Sequence, residues 1–260
     1  MTQIRRPIRR TAADEPFFLV RSLGGEYAAG QGTHRHAHDW GQLIYCSAGV
    51  MTVWTEAGSW VAPPHWAVWA PAGVAHQIRF AGACALRTLY LRADLAEPLP
   101  GDCAVMRISG LLRELILRTV ELQMLDQRDP GHRAIAELIV AELARHDAAA
   151  FDLPAPTSTA ARKAAELLDG DAAPAGTPTL ARAVGLSART LERRFLAETG
   201  LSVAAWARQA RLLKGLNRLA EGEPVKVVAD ACGYASPSAF VAAFKAAFGT
   251  TPGRYFAPSP

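Results

Sequence analysis

The chain has 260 residues, half apolar and a fifth charged, which is length for two domains and composition for buried cores. No apolar run approaches the roughly 20 residues of a spanning helix, and no apolar stretch follows Arg5, Arg6, Arg9 and Arg10, so neither a membrane protein nor a secretory leader is expected. Cys46, Cys84, Cys103 and Cys232 form no C-x-x-C pair, so they read as reduced cytoplasmic thiols and exclude a cysteine zinc site. Residues 157–260 carry thirteen Lys/Arg against eight Asp/Glu, whereas residues 1–156 carry fifteen against sixteen. Only the back of the chain is expected to approach a polyanion, although an ordinary basic domain gives the same balance.

Residues 17–95 read as short strands. The apolar segments Gln42–Cys46, Val50–Trp54 and Leu86–Leu91 are separated by turn clusters such as Gly24-Gly25, Ala57-Gly58-Ser59 and Pro71-Ala72-Gly73. That spacing predicts a β-sandwich or barrel. After Pro98–Gly101 the period changes: Ile108, Leu111, Leu112, Leu115, Ile116, Leu122 and Leu125 predict a helix over Val105–Asp126. Asp129-Pro130 supplies the cap and first position of a second helix to Asp147. Packing on the barrel and dimerisation both suit their apolar seams. A linker follows at Phe151–Ser158, marked by Pro154 and Pro156.

From Thr159 the chain reads as helices only, and one subpattern occurs twice. In Leu180–Leu196 and again in Val227–Lys245, a short helix stops at Gly185 or Gly233 and a serine, Ser187 or Ser236, caps a second helix. Ala183 and Ala229 are small enough for the paired helices to cross closely, and Phe195 and Phe244 anchor the second ones. The helix between the units, Ser202–Glu221, is ~30 Å long at 1.5 Å per residue. That is close to the ~34–36 Å turn of B-DNA.

These units, with Trp206, Arg211, Leu212 and Gly222 around the spacer and the closing Phe248-Gly249-Thr250-Thr251-Pro252-Gly253-Arg254-Tyr255, resemble the DNA-binding domain of the AraC/XylS family of transcription regulators. Phe256 departs from the arginine usual after that tyrosine. The resemblance implies that Arg189, Glu192 and Arg193 face bases, where Arg pairs with guanine and Glu accepts from cytosine. The equivalent positions of the second unit, Pro237, Ser238, Val241 and Ala242, are small and nearly devoid of donors, with Ser236 beside them. Arg194, Arg211, Lys245 and Arg254 suit phosphates.

In the front half, Gly30-x5-His36-x-His38-x3-Gln42-x6-Gly49 resembles the first motif of the cupin barrels, with Gln42 where Glu is usual. Pro71-x-Gly73-x2-His76 matches the second motif in part. His36, His38 and His76 are the candidate ligands of a divalent transition metal, with Gln42 as a neutral fourth group. The competing reading is a pocket that keeps its histidines and binds an organic effector without metal. Of six tryptophans, five fall between 40 and 69. They fill a core or, as expected for Trp40, Trp54 and Trp60 together with Gln42, meet an effector. His34 and His65 are expected at the surface or pocket rim, and His132 and His146 in solvent.

The expected architecture is two-domain α+β. A cupin-like barrel occupies residues 1–100, a helical dimerisation or relay segment 101–156, and an all-α domain with two helix-turn-helix units 157–260. The expected function is a cytoplasmic, effector-controlled transcription regulator. Its partners would be promoter DNA, a small molecule, a second copy of the chain and, for an activator, RNA polymerase. Two rivals remain: a metal-dependent cupin enzyme with a helical tail, and a constitutive DNA-binding protein whose barrel only dimerises. Gln42 in place of the acidic ligand argues against the enzyme, and a filled barrel would favour the last.

Overall fold

The structure is a computed structural model that describes residues 16–145, 152–170 and 176–256. The arginine-rich residues 5–10, His146, Asp147 and Phe151 lie outside the described residues. A long antiparallel ladder between β2 (Gly41–Trp54) and β5 (Gln77–Leu91) organises the front half. Its register shifts twice between Cys46 and Val50, where Gly49 has φ +84° and a side chain would strike Ala83 O and Cys84 Sγ. The bulge bends the ladder. As a result β2 pairs with β4 (Trp66–Ala70) over residues 42–45 and with β3 (Gly58–Ala62) over residues 51–54.

β1 (Phe18–Tyr27) flanks β5, and β6 (Ala104–Arg107) flanks β4. β7 (Met124–Asp126) flanks β1, in the order β6-β4-β2-β5-β1-β7. The sandwich or barrel expected of the front half is therefore built from one bent sheet. Leu43, Tyr45, Trp69 and Leu89 of its first half pack with Leu112 and Ile116 of α1 (Gly110–Leu122) and with Ile139 and Leu143 of α2 (Pro130–Ala144).

The helix predicted over Val105–Asp126 is shorter than its apolar period. Ser109 Oγ accepts from Leu112 N at its start, and Gln123, at φ +68°, ends it. The flanking residues are taken by pairing: Ala104–Arg107 with β4 and Met124–Asp126 with β1. The predicted linker also holds a strand. β8 (Asp152–Pro154) lies on β3, with Ser59 opposite Leu153.

The helical half contains α3 (Thr159–Asp169), α4 (Thr177–Ala183), α5 (Ala188–Thr199), α6 (Val203–Ala220), α7 (Val225–Ala231), α8 (Pro237–Phe248) and α9 (Pro252–Tyr255). Side-chain oxygens of Ser187, Ser202 and Ser236 cap α5, α6 and α8, and Gly200 and Gly249 end α5 and α8 in the left-handed conformation. In the first unit Leu180 and Ala181 are the buried residues of α4, whereas Ala183 is exposed, so the close crossing expected at Ala183 falls at Ala181. Ala229 is buried as expected.

α6 joins everything. At Gly215 a side chain would meet the Phe240 ring at 2.8 Å, so the missing Cβ lets α8 seat against the spacer. The other face docks on the sheet, where Asn217 Nδ2 donates to Thr52 Oγ1 at 3.2 Å. Trp206 Nε1 donates to Pro154 O at 2.9 Å. At Gly82 (φ +72°) an added Cβ would lie 2.4 Å from Ala220 O. One apolar cluster accordingly runs from Ile44, Val53 and Phe80 to Phe195, Leu213 and Phe244. Gly82→Ala should both strain a left-handed residue and push α6 from the sheet. We expect a loss of about 1–3 kcal/mol in urea unfolding, together with separation of the sheet and helical transitions. A single unshifted transition would refute the tight seat.

Candidate functional site

His36, His38 and His76 come together in the structure. Backbone bonds in both directions between His36 and His76 bring the loop before β2 against the start of β5, and one ligand nitrogen from each ring lies within 4.8 Å of the others. Each Nδ1 faces a carbonyl: His34 O at 2.8 Å, Trp40 O at 2.5 Å and Val74 O at 2.9 Å, in that order. A carbonyl only accepts, so each Nδ1 carries a proton and the Nε2 positions are left as donors of lone pairs. Burial pushes the pKa of His76 down to about 4, which keeps that ring neutral at pH 7.

Gln42 is buried between them. Thr88 Oγ1 donates to Leu43 O at 2.9 Å and accepts from Gln42 Nε2 at 2.8 Å. The amide oxygen therefore faces His38 Nε2 and His76 Nε2, at 2.9 Å each. In this orientation acceptors face acceptors, which a cation between them would stabilise. Turning the amide over would satisfy both rings with N–H donors, at the cost of the Thr88 bond to Leu43 O. An amide at this position thus suits the empty and the occupied centre without a change of ring protonation, whereas a carboxylate facing the empty centre would draw a proton onto the rings. The donor set fits a divalent transition metal.

The tryptophans divide. Trp40 is buried beneath the Arg21 guanidinium, 4.5 Å from its ring, and Trp60 is buried in the core. Both pack in the core, and neither lines the two cavities described next. Trp54 remains 40% exposed and borders a cavity of about 200 Å³ between the sheet and α6. A second cavity, of about 460 Å³, lies where His65 and Arg107 meet Glu142 and Arg145 of the α2 end. His34 is exposed, and His132 Nδ1 accepts from Asp126 N.

In the helical half, Arg189, Arg193 and Leu196 form an exposed stripe along α5. The corresponding face of α8 presents exposed Pro237, Ser238 and Ala242 with half-buried Val241, and Lys245 is exposed in the last turn. Ser236 Oγ accepts from Ala239 N. Arg254 is exposed on α9, and Arg194 is half-buried.

Residues 22–157 match the family described as the AraC-like ligand binding domain, and residues 180–257 match a helix-turn-helix domain family. The transcriptional regulator NimR of Escherichia coli (strain K12) is 33% identical over 223 residues, covering 85% of this chain and 81% of NimR. The chain belongs to the AraC family. RipA of Corynebacterium glutamicum is 35% identical over 105 residues, 39% of this chain and 31% of RipA. Among solved structures, Vibrio cholerae ToxT with bound unsaturated fatty acid aligns over 92% of this chain and 95% of its own at 12% identity, with a TM-score of 0.38. This AraC-family regulator has an N-terminal ligand-binding domain and a C-terminal helix-turn-helix DNA-binding domain. No helix among the described residues is long and apolar enough to cross a membrane.

Within that AraC-type domain two residues expected at the DNA face are also held by the protein itself. Glu192 does not stand free on α5. Its carboxylate accepts from Val203 N at 3.1 Å, at the start of α6, and from Thr177 Oγ1 at 3.3 Å, at the start of α4. A negative group satisfies the open amides of a helix N-terminus, so Glu192 fastens the reading helix to the spacer. Arg211 is half-buried, with its stem against the Gly233 turn and its Nε enclosed, so it also packs against the second unit. Sequence reasoning missed Leu196, 59% exposed on the α5 stripe, whose apolar type pointed inward. It also missed Thr88, 46 residues from its partner Gln42, for which no local signal exists. Glu192→Ala should cost about 1 kcal/mol in thermal unfolding, with base preference opposite α5 retained. Loss of preference for a single base without loss of stability would restore Glu192 as a reader.

Proposed function

We propose that this AraC-family chain is a cytoplasmic homodimer whose two recognition helices read promoter DNA unequally and whose sheet domain holds a divalent transition metal. The observation that carries the first part is the contrast between α5, with Arg189 and Arg193 exposed one turn apart, and α8, with Pro237, Ser238 and Ala242 in their place. Guanidinium groups pair bidentately with guanine, whereas a hydroxyl and methyl groups touch little beyond a thymine methyl. The half-site under α5 is then strictly specified and that under α8 loosely, read by shape and by phosphate contacts from Lys245, Arg254 and Arg194. Residues 1–100 sense, 101–156 dimerise and relay, and 157–260 bind DNA. An activator of this build would also meet RNA polymerase. The relatives are regulators, which supports a binding role and not a catalytic one.

The metal reading rests on the convergence of His36, His38, His76 and the Gln42 carbonyl. A bound ion supplies a fixed positive charge that ties the loop before β2 to β2 and β5. Gln42 orients its oxygen, Thr88 holds the amide, and the carbonyls of residues 34, 40 and 74 set the three tautomers.

Two experiments test these parts separately. Thr88→Val removes the acceptor that holds the amide and should lower Zn²⁺ or Ni²⁺ affinity about 10–100-fold in chelator competition, while His76→Ala abolishes stoichiometric binding. Equal affinity in wild type and both variants would dismiss the metal. In a randomised-operator selection, Arg193→Ala should cost roughly 1–3 kcal/mol at the best site and relax base preference there. Lys245→Ala should instead weaken all sites alike and reduce the salt slope by about one contact. Stronger preference opposite α8 than opposite α5 would reverse the division.

A further inference from the structure

Leu196 is the most exposed large hydrophobic among the described residues, at 59%, and it belongs to neither apolar cluster of the core. Exposed leucines are ordinary on protein surfaces. This one is set apart by its place. It stands on the recognition helix α5, seven residues after Arg189 and three after Arg193, both of them exposed. At about 100° per residue, Leu196 projects about 20° from Arg189 and about 60° from Arg193, on the side opposite buried Leu191 and Phe195. Helices that lie in a major groove read base edges at i, i+3, i+4 and i+7.

Arg189 and Arg193 take the i and i+4 positions of that pattern. Glu192, at i+3, is half-buried with its carboxylate on Val203 N and Thr177 Oγ1, whereas Leu196, at i+7, is turned fully outward. It lies ~10.5 Å beyond Arg189 along the axis, about three base-pair steps of ~3.4 Å. The second unit supports the orientation. Counted from the caps Ser187 and Ser236, Lys245 of α8 holds the equivalent position and is exposed as well. A lysine stem can swing its charge from the groove to a phosphate, but a branched leucine offers only methyl groups to what lies directly beneath it. In the major groove the apolar partner on a base edge is the C5-methyl of thymine.

We infer that Leu196 is a specificity-determining residue of α5 that reads a thymine by its C5-methyl group, ~4.5 Å along the helix from the base pair read by Arg193. The half-site under α5 then combines guanine contacts, set by hydrogen bonds, with one thymine set by apolar burial. Thymine and uracil present the same O4 acceptor in the groove, so a guanidinium does not distinguish them and a methyl reader does. The inference rests on the reading that α5 enters the major groove, and it adds a base that neither arginine specifies. It is independent of the metal.

The test uses full-length protein and the best operator from the randomised selection, with each thymine under α5 replaced singly by deoxyuridine. That change removes one methyl and leaves every hydrogen-bonding group in place. At one thymine, wild-type affinity should fall about fourfold, the effect of one buried methyl. In Leu196→Ala the uracil penalty at that thymine should vanish, while preference for the base opposite Arg193 stays. Leu196 is exposed, so thermal unfolding of the variant should match wild type. Absence of any thymine with a uracil penalty of about twofold or more, a penalty of equal size in Leu196→Ala, or unchanged operator affinity in that variant overturns the inference. Unchanged affinity would hand the exposed leucine to a protein partner, and an equal penalty would hand the methyl to another residue. Arg193→Ala separates this inference from the reading beneath it. If that variant relaxes base preference and no thymine methyl matters, α5 is in the groove and only the role of Leu196 falls. If it changes nothing either, the groove reading falls with it.

Discussion

The ladder between β2 and β5 is the constraint on which the molecule turns. Its strands have 14 and 15 residues, too long for one flat face of a small domain, and the bulge at Gly49 folds them. The fold brings Gln42 and Thr88 beside the histidines and places Thr52 and Gly82 beneath α6. A single pair of hydrogen-bonded strands therefore connects the candidate ligand centre to the spacer of the DNA-binding domain.

Helix ends do the corresponding work in the DNA-binding domain. Glu192 and Glu198, both on α5, spend their carboxylates on backbone amides: the first on Val203 at the start of α6, the second on Thr157 and Ser158 before α3. The reading helix is thus pinned to the spacer at one point and to the linker at another. The same linker is bonded to β3 as strand β8 and to Trp206 through Pro154 O. No connection in this chain of contacts is a lone salt bridge on the surface, which would contribute little. Each is a hydrogen bond to a fixed backbone group. An edge-to-face aromatic cluster of Phe240, Phe244, Phe248 and Tyr255 completes the second unit, and burial pushes the Tyr255 hydroxyl well above its ordinary range.

The tryptophans show how burial sorts one residue type into several roles. Trp69 sits over Gly41, where a side chain would strike its ring at 2.2 Å, and gives its N–H to Pro100 O. Trp206 ties spacer to linker, Trp40 carries a guanidinium, and Trp54 faces the cleft. An indole earns a buried position only where its N–H finds an acceptor or its face a partner. The end of β2 provides apolar wall on one side of Trp54 and open space on the other.

Much of this was legible in the amino-acid order, wherever the cause is local. Serine caps, left-handed glycines and apolar periods act within about four residues, so the doubled helix-turn-helix units, their boundaries and the exposed Arg189 and Arg193 follow from the sequence. The spacing of His36, His38 and His76 likewise announced three rings that the fold brings within 4.8 Å. What the tertiary structure alone decided depends on partners far along the chain. Glu192 looked like a free charge because α6 folds back on it only in space, and Trp54 and Trp60 are alike in type and differ only in what covers them. Residues 104–107, 124–126 and 152–154 became strands because sheet edges at β4, β1 and β3 stood open to them. A strand needs a neighbour's backbone and a helix mostly its own, which is why the helical half could be read along the chain and the edges of the sheet could not.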